Sequence, residues 1–319
     1  TRGGFVPVII ALSGGVGGAK LALGLSRILP PEDLLVVVNT GDDFEHLGLS
    51  ISPDIDTVMY TLAGLANREL GWGRADETWS CMDTLAAIGG ETWFRLGDRD
   101  LAVHIERTRR LRAGETLSAI TADLCRRLGV GPRVVPMSDD PVRTRLLTPT
   151  GWLDFQEYFV RNRCEPKVLE LDFFGAQHAR PHPDFMAALA DMRLEAVVIC
   201  PSNPFISVEP ILAIPGIRDA LAGCAAPVIA VSPIIAGRAV KGPTAKMMTE
   251  LGLDPTAGNV AQRYRDLLDG YVIDHADMAE VVSIDARVTL AQTLMTTIED
   301  REALAKTVLD AAAVLRRRR

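Results

Sequence analysis

An α/β fold with a Rossmann-like, doubly wound and mainly parallel sheet is predicted by two observations, and a third adds a mostly helical insertion. Six short apolar, β-branched runs, "VPVIIAL" (6–12), "LLVVVN" (34–39), "RVVP" (133–136), "AVVICP" (196–201), "PVIAVSP" (227–233) and "GYVID" (270–274), alternate with segments of helical spacing. Continuous apolar runs of this length suit strands covered on both faces, and helical connections let them run parallel. Most of them lead into loops rich in glycine or in polar residues, which a parallel sheet gathers at one edge. Between 54 and 130 the strand signal disappears and helical patterns take over. The expected organisation is therefore a nucleotide-binding core, 1–53 and 131–319, with 54–130 inserted as the second wall of a cleft.

The composition narrows the partners. A chain of 319 residues, 48% hydrophobic, can bury a large core, and its net charge of -7 argues against binding a nucleic-acid backbone. Its five cysteines, Cys81, Cys125, Cys164, Cys200 and Cys224, form no C-x-x-C pair, so neither a disulfide framework nor a zinc knuckle is expected. No apolar run approaches the roughly 18 to 20 residues that span a bilayer, and no signal-peptide pattern opens the chain. The expectation is a cytoplasmic protein without a membrane partner.

The first strand runs into "SGGVGGAK" (13–20). This matches neither the Walker A pattern nor G-x-G-x-x-G, yet Gly14, Gly15, Gly17 and Gly18 permit close backbone approach before a helix whose first N–H groups face back at the loop. Lys20 adds a charge in the first turns. A phosphate cradle and a tight packing turn both fit this composition. The second strand leads into "NTGDDFEHLGLSISPD", where Asp42, Asp43, Glu45, Asp54 and Asp56 crowd within fifteen residues. Carboxylates without His or Cys suit Mg²⁺, which takes one or two of them plus waters and substrate phosphates. Helical spacing starts near Ile55, which sets Asp54 and Asp56 about 200° apart on that helix, so they cannot share one face. Ser52 or Asp54 would cap the helix, with Pro53 at its start.

Within the insertion, "LGDRDLAVH" (96–104) collects Asp98, Arg99, Asp100 and His104. Asp100 and His104 are one helical turn apart and make either a surface ion contact or a lining pair. Trp72, Trp79 and Trp93 offer flat surfaces for a heterocycle or serve as core. After "RVVP", "PMSDDP" forms the third loop, and "RLLTPTGWLDFQEYFV" (145–160) has the alternation of a hairpin around Pro-Thr-Gly. The fourth and fifth strands end in "PSNP" (201–204) and "SPIIAGRAVKGPTAK" (232–246), which supply small polar groups, backbone amides and the cations Arg238, Lys241 and Lys246.

Taken together and in this order, "SGGVGGAK", "VVNTGDDFEHLGLSISPDIDTVMYTLAG", "LGDRD", "PMSDDPV", "PSNP" and "VSPII" resemble the 2-phospho-L-lactate transferases of coenzyme F-420 biosynthesis, over almost the whole chain. That resemblance implies a Mg²⁺-dependent transfer. The primary ribityl hydroxyl of Fo, the alcohol 7,8-didemethyl-8-hydroxy-5-deazariboflavin, attacks a guanosine diphosphate-type donor carrying phospholactate, phosphoenolpyruvate or phosphoglycerate, and GMP leaves. It also implies a homodimer, with Fo between the core and the insertion. By motif, it assigns catalysis to Asp54 and Asp43 and the metal to Asp42, Asp43 and Asp54. Fo falls to Asp54, Asp56, Asp98 and Arg99. Donor phosphates and guanosine fall to Gly14, Gly15, Gly17, Gly18, Lys20, Ser202, Asn203 and Ser232.

The alternative is the related family of bacterial cell-shape and carbon-flux regulators, which bind uridine-sugar nucleotides. Their acidic loop continues into a Gly/Ser-rich run, whereas "FEHLGLSISPD" follows here. A dehydrogenase on the same sheet is disfavoured by the missing G-x-G-x-x-G.

Overall fold

Consecutive Val, Ile and Leu residues cannot turn half their side chains to water, so each apolar run needs cover above and below. The computed structural model, which describes residues 8–67, 71–240 and 242–316, provides it. The six runs become strands β1 (Ile9–Ser13), β2 (Leu34–Val38), β3 (Arg133–Pro136), β4 (Ala196–Ile199), β5 (Val228–Val231) and β6 (Gly270–Asp274). A further strand, β7 (Arg287–Ala291), completes a seven-stranded sheet of order β7-β6-β5-β4-β1-β2-β3. Every pairing in it is parallel.

Alternation divides each strand between two layers. Ile10 and Leu12 of β1 enter one core cluster with Leu35, Val37, Val197 and Ile199, while Ile9 and Ala11 enter the other with Leu34, Val36 and Val38. On the second face lie α1 (Gly15–Ile28), α2 (Pro53–Leu62) and the C-terminal helix Ile298–Arg316, which contribute Leu21, Leu25, Ile55, Met59, Leu304 and Val308. Each such aliphatic side chain, fully withdrawn from water, contributes roughly 1.5–3 kcal/mol.

The strand order reverses between β1 and β4, and the crevice beyond their carboxyl ends is where ligands bind in sheets of this kind. The 54–130 segment carries the helices Ser80–Ala87, α3 (Asp98–Arg112) and Leu117–Arg127, and α2 begins at Pro53, one residue before the expected boundary. Its small apolar cluster of Met82, Leu96 and Leu101 closes against Ile51.

Three elements go beyond the sequence-based expectation. β7 is a sheet-edge strand whose residues are mostly half-buried, so it lacks a continuous apolar run. The acidic loop folds into a tight hairpin, Phe44–His46 with Leu49–Ile51, turning through positive φ at Leu47 and Gly48. The 145–160 hairpin forms from Arg143–Thr148 and Gly151–Asp154 but ends at Asp154, and a third strand, Glu170–Phe174, joins it.

Candidate active site

At the switch point the glycine loop of β1 meets the loop after β4. Gly14 N–H donates to Ser202 Oγ at 3.2 Å, and Ser202 Oγ donates back to the Gly14 carbonyl at 2.6 Å. Gly15 opens α1 with φ +60°, a conformation that favours glycine, and its N–H donates to Asp54 Oδ1 at 2.7 Å. Gly17 is required by close approach, because a Cβ there would lie 2.2 Å from the Pro201 carbonyl oxygen. Gly18 packs against Ser13 and Ser202. The glycines therefore seat one loop on the other, and Gly14, Gly15, Val16 and Gly17 line a cavity of about 560 Å³.

Helix α2 brings two carboxylates in on opposite sides. Asp54 accepts from Gly15 and, at 2.9 Å, from Asn39 Nδ2, so it ties the first loop to the second. Asp42 lines the cavity with it, buried, and its Oδ1 has no hydrogen-bond partner among the described residues. Burial, and then the Asp54 charge, hold the Asp42 carboxyl well above its ordinary range. Burial raises Asp54 to about 6 against the hydrogen bonds from Asn39 and Gly15. Asp43 lies behind, accepts from Ser52 Oγ at 2.8 Å, and is raised by burial to about 7 despite the opposing Arg143 charge.

Asp56, on the other side of α2, meets α3. Arg107, fully buried, pairs with both of its oxygens, with Nη1 to Oδ2 at 3.0 Å. The same Nη1 lies 3.1 Å from His104 Nδ1. A guanidinium only donates, so Nδ1 is the acceptor and the ring proton sits on Nε2, which is 3.3 Å from Asp100 Oδ1. Tyr60 OH donates to that Asp100 oxygen at 2.6 Å. Asp100 is held below its ordinary range against the opposing pull of burial, by the His104 hydrogen bond and charge and then by Tyr60. Asp56, Tyr60, Asp100 and His104 all line the cavity.

Around these groups stand Trp72, Phe94, Phe155 and Phe159, a mostly apolar surround. A glycine-rich loop at a helix start, buried carboxylates and a flat apolar wall share one space.

Residues 9–313 match the family described as 2-phospho-L-lactate transferase CofD. The chain belongs to this family. Curated relatives of the 2-phospho-L-lactate transferase family include the "Phosphoenolpyruvate transferase" of Streptomyces griseus subsp. griseus, 42% identical over 317 residues that cover 97% of this chain and 99% of the relative. Those of the same name from Thermobifida fusca and Mycolicibacterium smegmatis are 41% and 38% identical, each covering 99% of the relative and 97% and 96% of this chain. Among solved structures, a member of the UPF0052 family from Bacillus halodurans superposes with a TM-score of 0.64 at 14% identity, covering 96% of this chain and 100% of that one, a likeness of fold alone. Membership makes the chain a transferase of coenzyme F-420 biosynthesis, on the Rossmann-like sheet expected for it.

The positions that carry this family's motifs do not all converge. Gly14, Gly15, Gly17, Lys20, Asp42, Asp54, Asp56, Ser202, Asn203 and Ser232 line the cavity. Lys20 Nζ donates to the Met295 carbonyl at 2.8 Å, at the cavity edge. Asn203 Oδ1 caps the following turn by accepting from Phe205 N at 2.9 Å, and Ser232 Oγ accepts from Ile234 N at 3.1 Å. Gly18 and Asp43 stand behind the lining.

Asp98 and Arg99, expected against Fo, lie outside the cavity. Asp98 accepts from Ser80 N and Cys81 N at the start of the Ser80–Ala87 helix, and exposed Arg99 pairs with Asp76. Of the "SPIIAGRAVKGPTAK" cations, Lys246 turns to Glu250 and the Pro166 carbonyl, Arg238 is exposed and off the lining, and Lys241 falls outside the described residues.

The Asp42, Asp43 and Asp54 oxygens expected to share a metal do not converge either. Among the described residues, the group with ligand atoms within 4.8 Å of one another is Asp56, Asp100 and His104. Arg107 already occupies both Asp56 oxygens and His104 Nδ1, so that group has its cation built in. Sequence reasoning missed Arg107 and Tyr60. The available signal was spacing, since Asp56 and Tyr60, and Asp100, His104 and Arg107, repeat at three or four residues along α2 and α3.

Proposed function

We propose that the chain transfers a phosphoenolpyruvate-type phospho-acid from a guanosine diphosphate-linked donor to the primary ribityl hydroxyl of Fo, releasing GMP. The observation that carries the reading is the cavity at the β1/β4 switch point, where the buried carboxylates Asp42 and Asp54 face the glycine loop. The choice of acid follows the names of the curated relatives in Streptomyces and Thermobifida. Two buried carboxylates, with an unpartnered Asp42 Oδ1, fit a hard divalent cation that completes its shell with water and substrate phosphate. Asp42, with Asp54 beside it, would hold Mg²⁺, which when bound neutralises charge on the phosphates.

The chain's own residues do the rest. Ser202 and the first turn of α1 fix the loop that receives the diphosphate, and Asn39 fixes Asp54. Asp54 accepts the proton of the attacking hydroxyl, with a carboxyl raised to about 6, near the working pH. The new bond joins the ribityl oxygen to the phosphorus bearing the acid, and the bond from that phosphorus to the GMP phosphate breaks. The aromatic surround orients the deazaflavin and excludes water.

The test is incubation with Fo, Mg²⁺ and guanosine diphosphate-linked donors carrying phosphoenolpyruvate, phospholactate or phosphoglycerate, following GMP release and the fluorescent deazaflavin product. The phosphoenolpyruvate donor should turn over fastest. No GMP release with any donor sinks the activity, and preference for another acid sinks that choice alone.

A further inference from the structure

We propose that Asp100 is the specificity residue for the alcohol: it accepts hydrogen bonds from uncharged hydroxyl or ring N–H groups at the α3 end of the cavity and turns away anionic ones. This rests on the transfer reaction proposed above and names how one substrate is chosen.

Two ends of one cavity differ in how their carboxylates are compensated. At the glycine loop, Asp42 has an unpartnered oxygen. At α3 the chain supplies one buried cation, Arg107, beside the two carboxylates Asp56 and Asp100. Arg107 pairs through its terminal nitrogens with Asp56 and His104, Tyr60 donates to Asp100 Oδ1, and His104 Nε2 lies 3.3 Å from the same atom. A bound cation has no place there beside the guanidinium, so a phosphate drawn to that end would meet fixed negative charge with nothing to bridge them.

All partners that the described residues give the Asp100 carboxyl fall on Oδ1, while the residue lines the cavity. Oδ2 is left for a ligand, and an ionised carboxylate only accepts. A polyol or an imide N–H satisfies it, and a phosphate or carboxylate does not. Tyr60, His104 and Arg107 are positioning residues. They fix the Asp100 rotamer, and Arg107 fixes the His104 tautomer, so the acceptor is present before the alcohol arrives. Phe94 and Trp72, from the same inserted segment, line the cavity as flat surfaces for the ring that such a chain carries.

The experiment measures Fo binding by deazaflavin fluorescence and GDP binding by calorimetry, on the wild type, Asp100→Asn and Tyr60→Phe. Riboflavin and a riboflavin analogue carrying a carboxylate on its ring serve as competitors of Fo. Asp100→Asn should weaken Fo by about tenfold or more, as expected on losing a hydrogen bond to a charged group, with GDP unchanged. Tyr60→Phe should weaken Fo in the same direction by less. The wild type should favour riboflavin over the ring carboxylate, and Asp100→Asn should narrow that ratio. Fo binding unchanged in Asp100→Asn, equal loss of Fo and GDP, or an unaltered riboflavin ratio overturns the assignment while leaving the transfer reaction standing. A wild type that binds no Fo overturns both.

Discussion

Replacing Arg107 by Met tests whether the α2–α3 network holds the inserted helices to the sheet. Arg107 is fully buried, and its partner Asp56 lies on a helix whose Ile55, Val58 and Met59 belong to the sheet core. Arg107→Met leaves the Asp56 carboxylate buried and uncompensated, a change that costs about 3–5 kcal/mol. At about 2.1 cal/mol/K per residue, unfolding entropy near Tm is roughly 0.7 kcal/mol/K for a chain of this length, so Tm should drop by about 4–7 °C. Asp56→Leu combined with Arg107→Met removes the stranded charge and should recover most of that loss, because buried ion pairs seldom outperform apolar packing. Thermal unfolding followed by circular dichroism measures both. A single variant within about 1 °C of the wild type, or a double variant no better than the single, would refute the reasoning.

Asp54→Asn should fold, since Asn Oδ1 still accepts from Gly15, yet lose about 100-fold or more in turnover as measured by GMP release. Gly17→Ala pushes a methyl into the Pro201 carbonyl and should cost about 1–3 kcal/mol in stability, with a larger loss in kcat/KM than in Fo affinity; both are read from melts and steady-state rates.

The carboxyls of Asp54 and Asp43 are raised to about 6 and about 7, so the metal-free folded chain binds protons that the unfolded chain has released. Their stabilising contribution is complete below about pH 4 and is lost as pH rises through 6 to 7. Tm without divalent cations should therefore fall between pH 5 and pH 8. Mg²⁺ should raise Tm by several degrees at pH 8 and little at pH 5, measured by differential scanning fluorimetry. An equal Mg²⁺ effect at both values counts against a carboxylate metal site.

What the chain disclosed before its structure follows from which interactions are local. β1 to β6 were legible because burial on both faces demands unbroken apolar runs, and the Gly17 approach left its mark because only glycine fits. Edge strand β7 escaped because it is half-covered and need not be continuously apolar. The acidic loop stood out through the sheer density of its carboxylates, and Asp42 and Asp54 do line the cavity. Its division of labour was not legible, because whether Asp42 or Asp43 faces the cavity depends on a hairpin turn at Leu47–Gly48 that no strong turn dipeptide announces. In "LGDRD" the motif was visible but its polarity inverted. Asp98 and Arg99 serve the helix start and a surface pair, while Asp100, one residue on, lines the cavity. The partners that decide this, Asp56 and Tyr60, lie some forty residues earlier.

The Gly14–Ser202 contact joins positions 188 apart along the chain. The cavity wall built on it has no local precursor: during synthesis the glycine loop emerges long before its mate, and both are needed to line the cavity. Competence for catalysis should therefore appear late and all at once, coincident with the docking of β4 onto β1, and the closing of that long loop is the step at which an unfinished chain becomes an enzyme.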